Sequence, residues 1–397
     1  MKNELFYIKL NFMNDETLMR HAIALAQLGR GWTNPNPLVG AVIARDGKII
    51  AQGYHHKCGD LHAERDALKN ALENGTDVRG ATIFVTLEPC CHVGRQPPCT
   101  QAIIESGIKK VVVGSRDPNA LVNGKGVKIL REAGIEVVTD FLRDECDELN
   151  PVFFHYIKTK MPYVIIKYAM TADGLTATSA GESKWITGEK ARENVHKTRS
   201  EVMAVMTGIG TVLKDNPTLN VRLNDGKTRR QPMRVILDSE CKLPLDSNLV
   251  KTAREIPVIL FCKENSKSHN IIEENESKRD SLESNGVKVI PVPGTDGKLS
   301  LSAVLKKLGE MGIDSLLVES GGNLNASLLF DEGNGSPLVQ ELHVYIAPKI
   351  FGNDGKTIFS PVRGQGINLP ADCVKFGQPK VEFFGEDILL KFTRGGK

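Results

Sequence analysis

Short apolar runs alternate with helix-length amphipathic stretches along the first third of the chain. Apolar residues recur at helical spacing after Asn14, and the runs Leu38–Ile43 and Lys48–Gln52 flank Asp46-Gly47, a dipeptide typical of hairpin turns. The other elements predicted here are helices at Leu61–Leu72, Thr100–Ser106 and Val127–Ala133 and strands at Ala81–Leu87, Lys110–Gly114 and Ile135–Val138. Such alternation with short links is typical of an α/β domain, which we place at residues 13–145.

The alternation resumes after a connecting segment at residues 146–160. Candidate strands are Tyr163–Tyr168, Val202–Met206, Arg234–Leu237, Val258–Phe261, Val287–Ile290, Ser315–Val318, Glu341–Ala347 and Ile388–Phe392. These strands and the helical stretches between them predict a second α/β domain at residues 161–397. Lys263–Asn285 is dense in Glu, Lys, Ser and Asn, which indicates a solvated surface excursion rather than a partner site.

Composition narrows the class of protein. A length of 397 residues favours two domains, and 41% hydrophobic and 25% charged residues are typical of a soluble globular protein. The net charge of +3 comes from interspersed acids and bases, which argues against a nucleic-acid partner, and no apolar run would span a membrane. Residues 1–12, an N-terminal extension, lack signal-peptide features, and eight irregularly spaced cysteines fit reduced thiols in the cytoplasm.

Candidate chemistry concentrates between residues 62 and 99. His62, Cys90 and Cys99 form a ligand set typical of catalytic zinc, which keeps a fourth position open for water. Glu64 follows the histidine by two residues and is placed to carry protons, and the whole pattern is a signature of zinc-dependent nucleobase deaminases. We therefore predict one Zn²⁺ per chain, which lowers the pKa of bound water to about 7. Glu64 would pass the water proton to the ring nitrogen and the departing ammonia.

Two other interpretations of this motif are open. The zinc could be a closed structural site with Cys91, His92 or Cys58 as a fourth ligand, or the residues could bind no metal. A structural site has no need of a carboxylate at Glu64, and the adjacent side chains of Cys90 and Cys91 should diverge. These points favour the catalytic interpretation.

Eight residues separate Cys90 from Cys99, whereas nucleic-acid and nucleoside deaminases usually have about two or three between these ligands. Together with the segments Asn36–Ala41, Gly53–His55, His62–Glu64, Glu88–Cys90, Pro97–Cys99 and Arg116–Asn119, this stretch resembles the deaminase domain of the bifunctional riboflavin biosynthesis proteins. The resemblance implies a cytidine-deaminase-like three-layer α/β/α fold. It also implies deamination of 2,5-diamino-6-(5-phosphoribosylamino)pyrimidin-4(3H)-one, a small phosphorylated molecule.

The same resemblance implies substrate contacts in this domain. The matching positions are Asn36, His55, His92, Arg95, Asp117 and Asn119, the last two at the ribose phosphate end. Asp117 could instead form a loop-capping pair with Arg116, and His55 could be a satisfied polar residue at a strand end. Two positions depart from the family: Cys91 stands where Ser is usual, and Arg65 stands where an apolar residue is usual. Arg65 could alter helix packing or the acidity of Glu64.

The second domain has no Gly-x-Gly-x-x-Gly fingerprint, so a Rossmann fold is not indicated. Its nearest phosphate-binding cue is the turn Glu319–Asn325, in which Gly321 and Gly322 would let a ligand approach the backbone at a helix start. A tight strand-to-helix turn without any ligand would explain the same residues.

Several segments resemble the reductase domain of the same family. They are Lys167–Gly174, Gly181–Thr187, Gly210–Leu219, Val318–Gly322 and Tyr345–Gly352. The resemblance implies a dihydrofolate-reductase-like α/β fold and homo-oligomers formed through this domain. It further implies NADPH-dependent reduction of the ribosyl group of 5-amino-6-(5-phosphoribosylamino)uracil to a ribityl chain.

The resemblance also implies which residues serve the reductase. The cofactor contacts would be Met170, Trp185, Thr211, Asp215, Gly321, Gly322, Asn323, Leu324, Asn325, Ala326 and Ser327. The substrate contacts would be Ser183, Arg199, Leu219, Arg222 and Glu319. Lys167 and Asp215 are the polar pair predicted to assist ring opening. Arginines suit bidentate phosphate binding, although surface ion pairs would also account for Arg199 and Arg222, and core packing for Trp185.

The sequence therefore predicts a cytoplasmic bifunctional enzyme that acts on small phosphorylated pyrimidines, without nucleic-acid or membrane partners. Two alternatives are a base deaminase that acts on RNA, with a degenerate reductase domain, and a zinc-stabilised nucleotide-binding module without turnover. The near-neutral charge and the long gap after Cys90 disfavour the first. The presence of Glu64 disfavours the second.

Overall fold

The computed structural model describes residues 12–93, 97–223, 225–264, 269–295, 297–330, 337–353, 355, 358–364 and 366–395, and within 269–276 only the backbone. The chain divides into two compact units, residues 1–159 and 160–397. Each unit has its own sheet and its own apolar core.

A five-stranded mixed sheet lies at the centre of the first unit. Its strands are β1 (Gly40–Arg45), β2 (Lys48–Tyr54), β3 (Thr82–Leu87), β4 (Lys110–Ser115) and β5 (Glu136–Val138). β1 pairs antiparallel with β2 and β3, whereas β4 pairs parallel with β3 and β5, which gives the order β2-β1-β3-β4-β5. The helices in the described part of this unit are α1 (Asp15–Ala26), α2 (Ala63–Glu73), α3 (Cys99–Glu105), α4 (Lys125–Glu132), α5 (Arg143–Asp147) and α6 (Pro151–Thr159).

Helices cover both faces of this sheet. On one face, Leu18 and Met19 of α1 are buried against Phe84 of β3. On the other face, α2 and α3 contribute Ala67 and Ile103 to a separate core. The amphipathic helices and the doubly buried strands therefore form the predicted three-layer α/β/α arrangement.

The start of α2 differs from the prediction in a way that matters for chemistry. The predicted helix Leu61–Leu72 would have placed His62 in its first turn. The observed helix begins at Ala63, so His62 is instead its N-cap residue. The backbone of His62 is extended, with φ −70° and ψ 158°. Because an N-cap residue lies outside the helical spiral, the His62 side chain can turn away from α2.

The second unit contains a nine-stranded sheet. Its strands are β6 (Tyr163–Thr171), β7 (Ala204–Gly208), β8 (Met233–Leu237), β9 (Val258–Lys263), β10 (Val287–Val292), β13 (Ser315–Val318), β14 (Glu341–Ala347), β15 (Lys380–Phe384) and β16 (Asp387–Thr393), while β11 (Gly294–Thr295) and β12 (Lys298–Leu299) form a separate short pair. The order is β10-β9-β8-β7-β13-β6-β14-β16-β15, and only the β14–β16 and β16–β15 pairings are antiparallel. The helices described here are α7 (Glu189–Glu201), α8 (Ile209–Asp215), α9 (Asn248–Lys251), α10 (His269–Ser284), α11 (Leu301–Glu310) and α12 (Gly322–Leu329).

All eight strands predicted for this unit are confirmed. β15 was not predicted, because its alternate residues Val381 and Phe383 are exposed and it pairs only with β16, at the edge of the sheet. The predicted surface excursion at Lys263–Asn285 contains the helix α10. In the described part of the chain, no helix combines the length and apolarity needed to cross a bilayer.

Candidate functional sites in the two units

Three candidate metal ligands meet where α2 begins, β3 ends and α3 begins. His62 Nδ1 lies 3.5 Å from Cys90 Sγ and 3.4 Å from Cys99 Sγ, and the three ligand atoms lie within 4.8 Å of one another. Two ligands bound at zinc distances in tetrahedral geometry are about 3.6 Å apart, so this donor set fits the metal. Among the described residues, the cluster does not include Cys58, Cys91 or His92 as a fourth ligand.

The N-terminus of α3 binds directly to Cys90. The amide of Cys99 donates to Cys90 Sγ at 3.3 Å, and the amide of Thr100 donates to the Cys90 carbonyl at 3.2 Å. These are two of the amides that a helix leaves without a partner in its first turn. The Cys99 contacts and His62 together lower the pKa of Cys90 to about 4, although its burial acts in the opposite direction. Cys90 is therefore available as a thiolate, the form that binds metal.

Glu64 lies in the first turn of α2 beside this cluster. Its side chain is buried, with 4% of the residue exposed. Burial, helped by the neighbouring Cys90, raises the pKa of Glu64 to about 7. A carboxyl group in this position is suited to accept a proton and to release it again.

His55 is oriented by its own neighbours. Its Nδ1 donates to the Leu61 carbonyl at 2.9 Å, and its Nε2 accepts from Asn36 Nδ2 at 3.1 Å. Burial lowers the pKa of His55, which agrees with a neutral ring that donates on one side and accepts on the other. Both ring nitrogens of His55 are thus occupied, and His55 orients the Asn36 amide. With respect to the described residues, Asn36 still has its side-chain oxygen and one amide hydrogen available for a substrate.

Asp117 and Asn119 close their own loop. Asp117 Oδ1 accepts from the Asn119 amide at 2.8 Å, and Asn119 Oδ1 accepts from the Leu121 amide at 3.1 Å. Arg116 binds Asp140, so Asp117 caps the loop through the Asn119 amide and not through a pair with Arg116. Burial raises the pKa of Asp117 to about 6. The substrate role of both residues stays a prediction.

His92 stands out because one of its ring nitrogens is buried and is not satisfied by any described residue. Within the described part of the chain, its buried Nδ1 has no hydrogen-bond partner. Unsatisfied buried nitrogens are uncommon in native proteins, so this nitrogen has hydrogen-bonding capacity for a water or a ligand. Arg95, which was predicted beside it, lies outside the described residues.

A cavity of about 560 Å³ lies in the second unit, between α7, the middle of β6 and the end of β13. Glu319 directly follows β13, and its carboxylate accepts from Arg199 Nε at 2.5 Å and Nη2 at 3.0 Å. Lys167 of β6 places Nζ 3.7 Å from the same carboxylate. Two cations therefore share one acid at the cavity wall.

The charges of Lys167, Arg199 and Glu319, which we call the cavity triad, depend on one another. Burial alone would raise the pKa of Glu319, but Arg199 and Lys167 outweigh it and hold the pKa at about 2. Burial lowers the pKa of Lys167, and Glu319 only partly restores it. Glu319 is thus ionised at neutral pH, and it holds both cations at the cavity.

Asp215 is not part of this triad. It ends α8, and its Oδ1 lies 3.9 Å from Lys184 Nζ. Among the described residues that line the cavity, Lys167 is present and Asp215 is absent. The predicted pairing of Lys167 with Asp215 is therefore replaced by a pairing with Glu319.

The other predicted substrate residues differ in how they meet the cavity. Arg222 lines it, and its amide donates to His196 Nδ1 at 3.2 Å. Leu219 is buried with 4% exposed and has a φ of 50°, so its side chain packs within the protein. Ser183 precedes Trp185, whose ring is exposed, lines the cavity and lies under the Arg192 guanidinium at 4.6 Å. Core packing therefore does not explain Trp185.

The predicted cofactor turn is built from close backbone packing. A side chain at Gly322 would come within 2.5 Å of the Ser360 carbonyl, whereas one at Gly321 would meet open space. Asn325 is fully buried, and its side chain accepts from Ser320 Oγ and donates to the Pro361 carbonyl, both at 2.8 Å. Open space at Gly321, before the helix N-terminus of α12, suits a phosphate group.

Apart from the exposed Asn323, the other predicted cofactor residues are buried or half-buried. Met170 and Leu324 pack against the main core, and Ala326 is buried. Ser327 Oγ donates to the Asn323 carbonyl at 3.1 Å, and Thr211 lies in α8. Contacts from this stretch to a cofactor would therefore come chiefly from its backbone amides.

One face of α7 lines the cavity, and most of its residues were not predicted from the sequence. Its residues there are Glu189, Arg192, Glu193, Val195, His196 and Arg199. Only Arg199 was predicted, although counting back by three and seven residues along the helix would have found His196 and Arg192. Arg363, which donates to Asn323 Oδ1 at 3.0 Å beside the cofactor turn, gave no signal in the sequence.

Two family models match the chain. Residues 13–115 match the cytidine and deoxycytidylate deaminase zinc-binding region, and residues 162–390 match the RibD C-terminal domain. The first unit is thus similar to a zinc-binding deaminase domain, and the second to a reductase domain of RibD. These matches agree with the predicted fold class.

Relatives match nearly the full length of the chain. The riboflavin biosynthesis protein RibD of Actinobacillus pleuropneumoniae is 50% identical, with 96% of each chain covered, and that of Aquifex aeolicus is 44% identical, with 96% of this chain and 98% of the relative covered. A crystal form of Acinetobacter baumannii RibD is 36% identical, with a TM-score of 0.82 and coverage of 96% and 99%. The Thermotoga maritima diaminohydroxyphosphoribosylaminopyrimidine deaminase/5-amino-6-(5-phosphoribosylamino)uracil reductase is 40% identical, with a TM-score of 0.79 and coverage of 96% and 98%.

Proposed function

Since the chain belongs to the RibD family, the bifunctional deaminase/reductases of riboflavin biosynthesis, we propose which compounds and residues its two sites use. The first unit deaminates 2,5-diamino-6-(5-phosphoribosylamino)pyrimidin-4(3H)-one. The second reduces the ribosyl group of the product, 5-amino-6-(5-phosphoribosylamino)uracil, to a ribityl chain. The observation that carries the proposal is the convergence of His62, Cys90 and Cys99 beside the buried Glu64.

In the deaminase site, His62, Cys90 and Cys99 would hold one zinc ion. When bound, zinc lowers the pKa of a coordinated water and so supplies a nucleophile at neutral pH. Glu64 would take one proton from the water and give it to the ring nitrogen, and it would then carry the proton of the newly formed hydroxyl group to the amino group, so that ammonia leaves and a carbonyl forms. Asn36, held by His55, binds the pyrimidine edge, and the free Nδ1 capacity of His92 serves the same ligand.

In the reductase site, the cavity triad binds the sugar. Arg222 lines the cavity and suits the 5-phosphate, to which an arginine can donate two parallel hydrogen bonds. Arg199 lines the same cavity, but its Nε and Nη2 already donate to Glu319, so it contributes positive charge rather than a second fork. Lys167 lies on the same wall beside Glu319 and is placed to give a proton to the ring oxygen as the sugar opens.

NADPH is the proposed cofactor of this site, and when bound it supplies the hydride. Gly321 leaves open space at the start of α12, and Arg363 lies beside the same turn as a cation for a phosphate. The exposed ring of Trp185 offers a flat apolar surface at the cavity. Asp215 stays a proposed cofactor contact at the end of α8.

One assay tests both halves of the proposal. Purified protein is given the diaminopyrimidinone phosphoriboside, and ammonia release is followed first without and then with NADPH, together with NADPH absorbance. We expect ammonia in both cases and NADPH oxidation only after deamination. A protein that holds zinc and releases no ammonia would contradict the deaminase assignment, and NADH used as readily as NADPH would contradict the cofactor assignment.

Replacing Cys99 with Ser tests the metal ligands. A hydroxyl is a poor substitute for a thiolate at zinc, so the Cys99→Ser protein should be purified with far less than one zinc per chain. The matched control is Cys91→Ser, because the Cys91 thiol faces the Leu121 carbonyl at 3.6 Å and not the cluster. Metal analysis should find full zinc in this control, whereas zinc loss from it would support a closed four-ligand site instead.

The proposal includes a cytoplasmic location and homo-oligomers formed through the second unit. None of the eight cysteines, all of which lie among the described residues, forms a disulfide, which agrees with a reducing compartment. The edge strand β15 exposes Val381 and Phe383, and such an edge readily pairs with another copy. Light scattering that gives the mass of one chain at every concentration would contradict the oligomer.

A further inference from the structure

Arg65 binds the segment that leads into the second cysteine ligand. Its Nε donates to the Pro97 carbonyl and its Nη2 donates to the Pro98 carbonyl, both at 3.0 Å. Arg65 follows Glu64 in the first turn of α2, so the guanidinium extends from the same turn that carries the proposed proton carrier. These two hydrogen bonds join α2 to the residues immediately before Cys99.

The two prolines at the end of this segment, Pro97 and Pro98, restrict how its backbone can be held. Proline has no backbone amide, so Pro97 and Pro98 can be held by hydrogen bonds only through their carbonyls. Directly after them, the amides of Cys99 and Thr100 bind Cys90. Cys99 is thus fixed from one side by Cys90 and from the other by Arg65.

Such fixing matters because the two cysteines are separated by eight residues. The more residues separate two ligands, the more conformational entropy is lost when both are fixed at one metal ion. Contacts that already hold the second ligand in place reduce the entropy that metal binding must remove. Arg65 supplies two hydrogen bonds in one planar fork, which also fixes direction.

We propose that Arg65 is a positioning residue for the zinc site, which holds Cys99 at the distance from His62 and Cys90 that the metal requires. The inference deepens the proposed function and rests on its ligand set. Among the described residues, Arg65 is not a member of the ligand cluster.

The chain offers a matched control for the test. Arg45, at the end of β1, also donates to two backbone carbonyls of one loop, those of Asp77 and Arg79 at 2.7 and 3.0 Å. Replacing Arg45 with Leu removes the same kind of interaction in the same unit, away from the proposed ligands. A general loss of stability should therefore affect both variants alike.

The experiment measures zinc release from the full-length, zinc-loaded protein into excess chelator. Wild type, Arg65→Leu, Arg65→Lys and Arg45→Leu are compared, and thermal unfolding of each metal-free protein is recorded. Loss of an outer-shell partner typically weakens metal binding about 10–100-fold, so Arg65→Leu should release zinc about tenfold faster than wild type. Arg65→Lys, which keeps a donor but not the fork, should fall between, and Arg45→Leu should stay within about twofold of wild type.

Equal release rates for Arg65→Leu and Arg45→Leu would overturn the inference. So would a metal-free Arg65→Leu protein that unfolds well below metal-free Arg45→Leu, because general destabilisation would then explain faster release. Wild type without any zinc would contradict this inference and the proposed ligands together. Wild type that retains zinc but does not deaminate would contradict only the proposed reaction, and faster release from Arg65→Leu would still support the positioning role.

Discussion

Replacing Glu64 with Gln should lower the rate of ammonia release by about 10³-fold, because the amide keeps the shape of the side chain but cannot carry a proton. The buried site gives water no easy way to substitute for the missing carboxylate. NADPH oxidation should stay near the wild-type rate when the already deaminated pyrimidine is supplied. Parallel measurement of ammonia and of NADPH absorbance therefore separates the two reactions.

The matched control is Glu73→Gln, which makes the same change at the exposed end of the same helix. Glu73 forms only a surface pair with Lys69 at 3.6 Å, and such pairs contribute little. Both activities should be unchanged in this control. Substantial deamination by the Glu64→Gln protein would show that another group carries the proton.

Replacing Glu319 with Gln should damage both the stability and the reductase activity of the second unit. The change leaves Lys167 and Arg199 facing each other without the carboxylate that both approach within 4 Å. Breaking a buried ion pair in this way typically costs about 3–5 kcal/mol in the free energy of unfolding. Loss of organised charge at a reacting centre typically costs about 10²-fold or more in rate, so NADPH oxidation should fall by at least that much.

The stability difference should also depend on pH. The pKa of Glu319 is about 2 in the folded protein, below the value of about 4.3 expected when unfolded. Its contribution is therefore present in full above about pH 4.3 and is lost as pH falls toward about 2. Denaturant unfolding at several pH values should show the wild-type advantage over Glu319→Gln shrinking across this window.

Glu310→Gln is the matched control for the losses of stability and of reductase activity expected in Glu319→Gln. Glu310 forms an exposed pair with Lys307 at 3.3 Å in the same unit. Its replacement should change the free energy of unfolding by less than about 1 kcal/mol and leave the reductase rate intact. A Glu319→Gln protein as stable as this control, with normal NADPH oxidation, would contradict the role assigned to the triad.

The fold was predictable where burial dictates the sequence. β13 is buried along its whole length, and its run of apolar residues predicts a central strand without further information. The sequence did not predict β15, because an edge strand need not be apolar on both faces. Val381 and Phe383 are exposed, and the segment lacks the apolar pattern of a buried strand. The helix α10 escaped because its many polar residues give a weak apolar period.

The site was predictable where chemistry demands particular residues at particular spacing. His62, Glu64, Cys90 and Cys99 stand out in the sequence because few other arrangements would serve zinc-assisted deamination. The pairing of Lys167 with Glu319 was not predictable, since it depends on β6 and β13 lying side by side in the sheet. The contacts of Arg65 depend in the same way on the path of a loop that local patterns do not determine.

The helix α7 has a consequence for how this protein can tolerate change in length. Arg192, His196 and Arg199 reach the cavity only because they share one side of a continuous helix. Inserting a single residue before Arg192 would rotate this helix face by about 100° relative to the preceding chain, unless the loop absorbed the change. Inserting four residues would nearly restore the direction but move the face about 6 Å along the axis. Relatives that keep this cavity should therefore vary α7 by substitution and confine insertions and deletions to the loops around it.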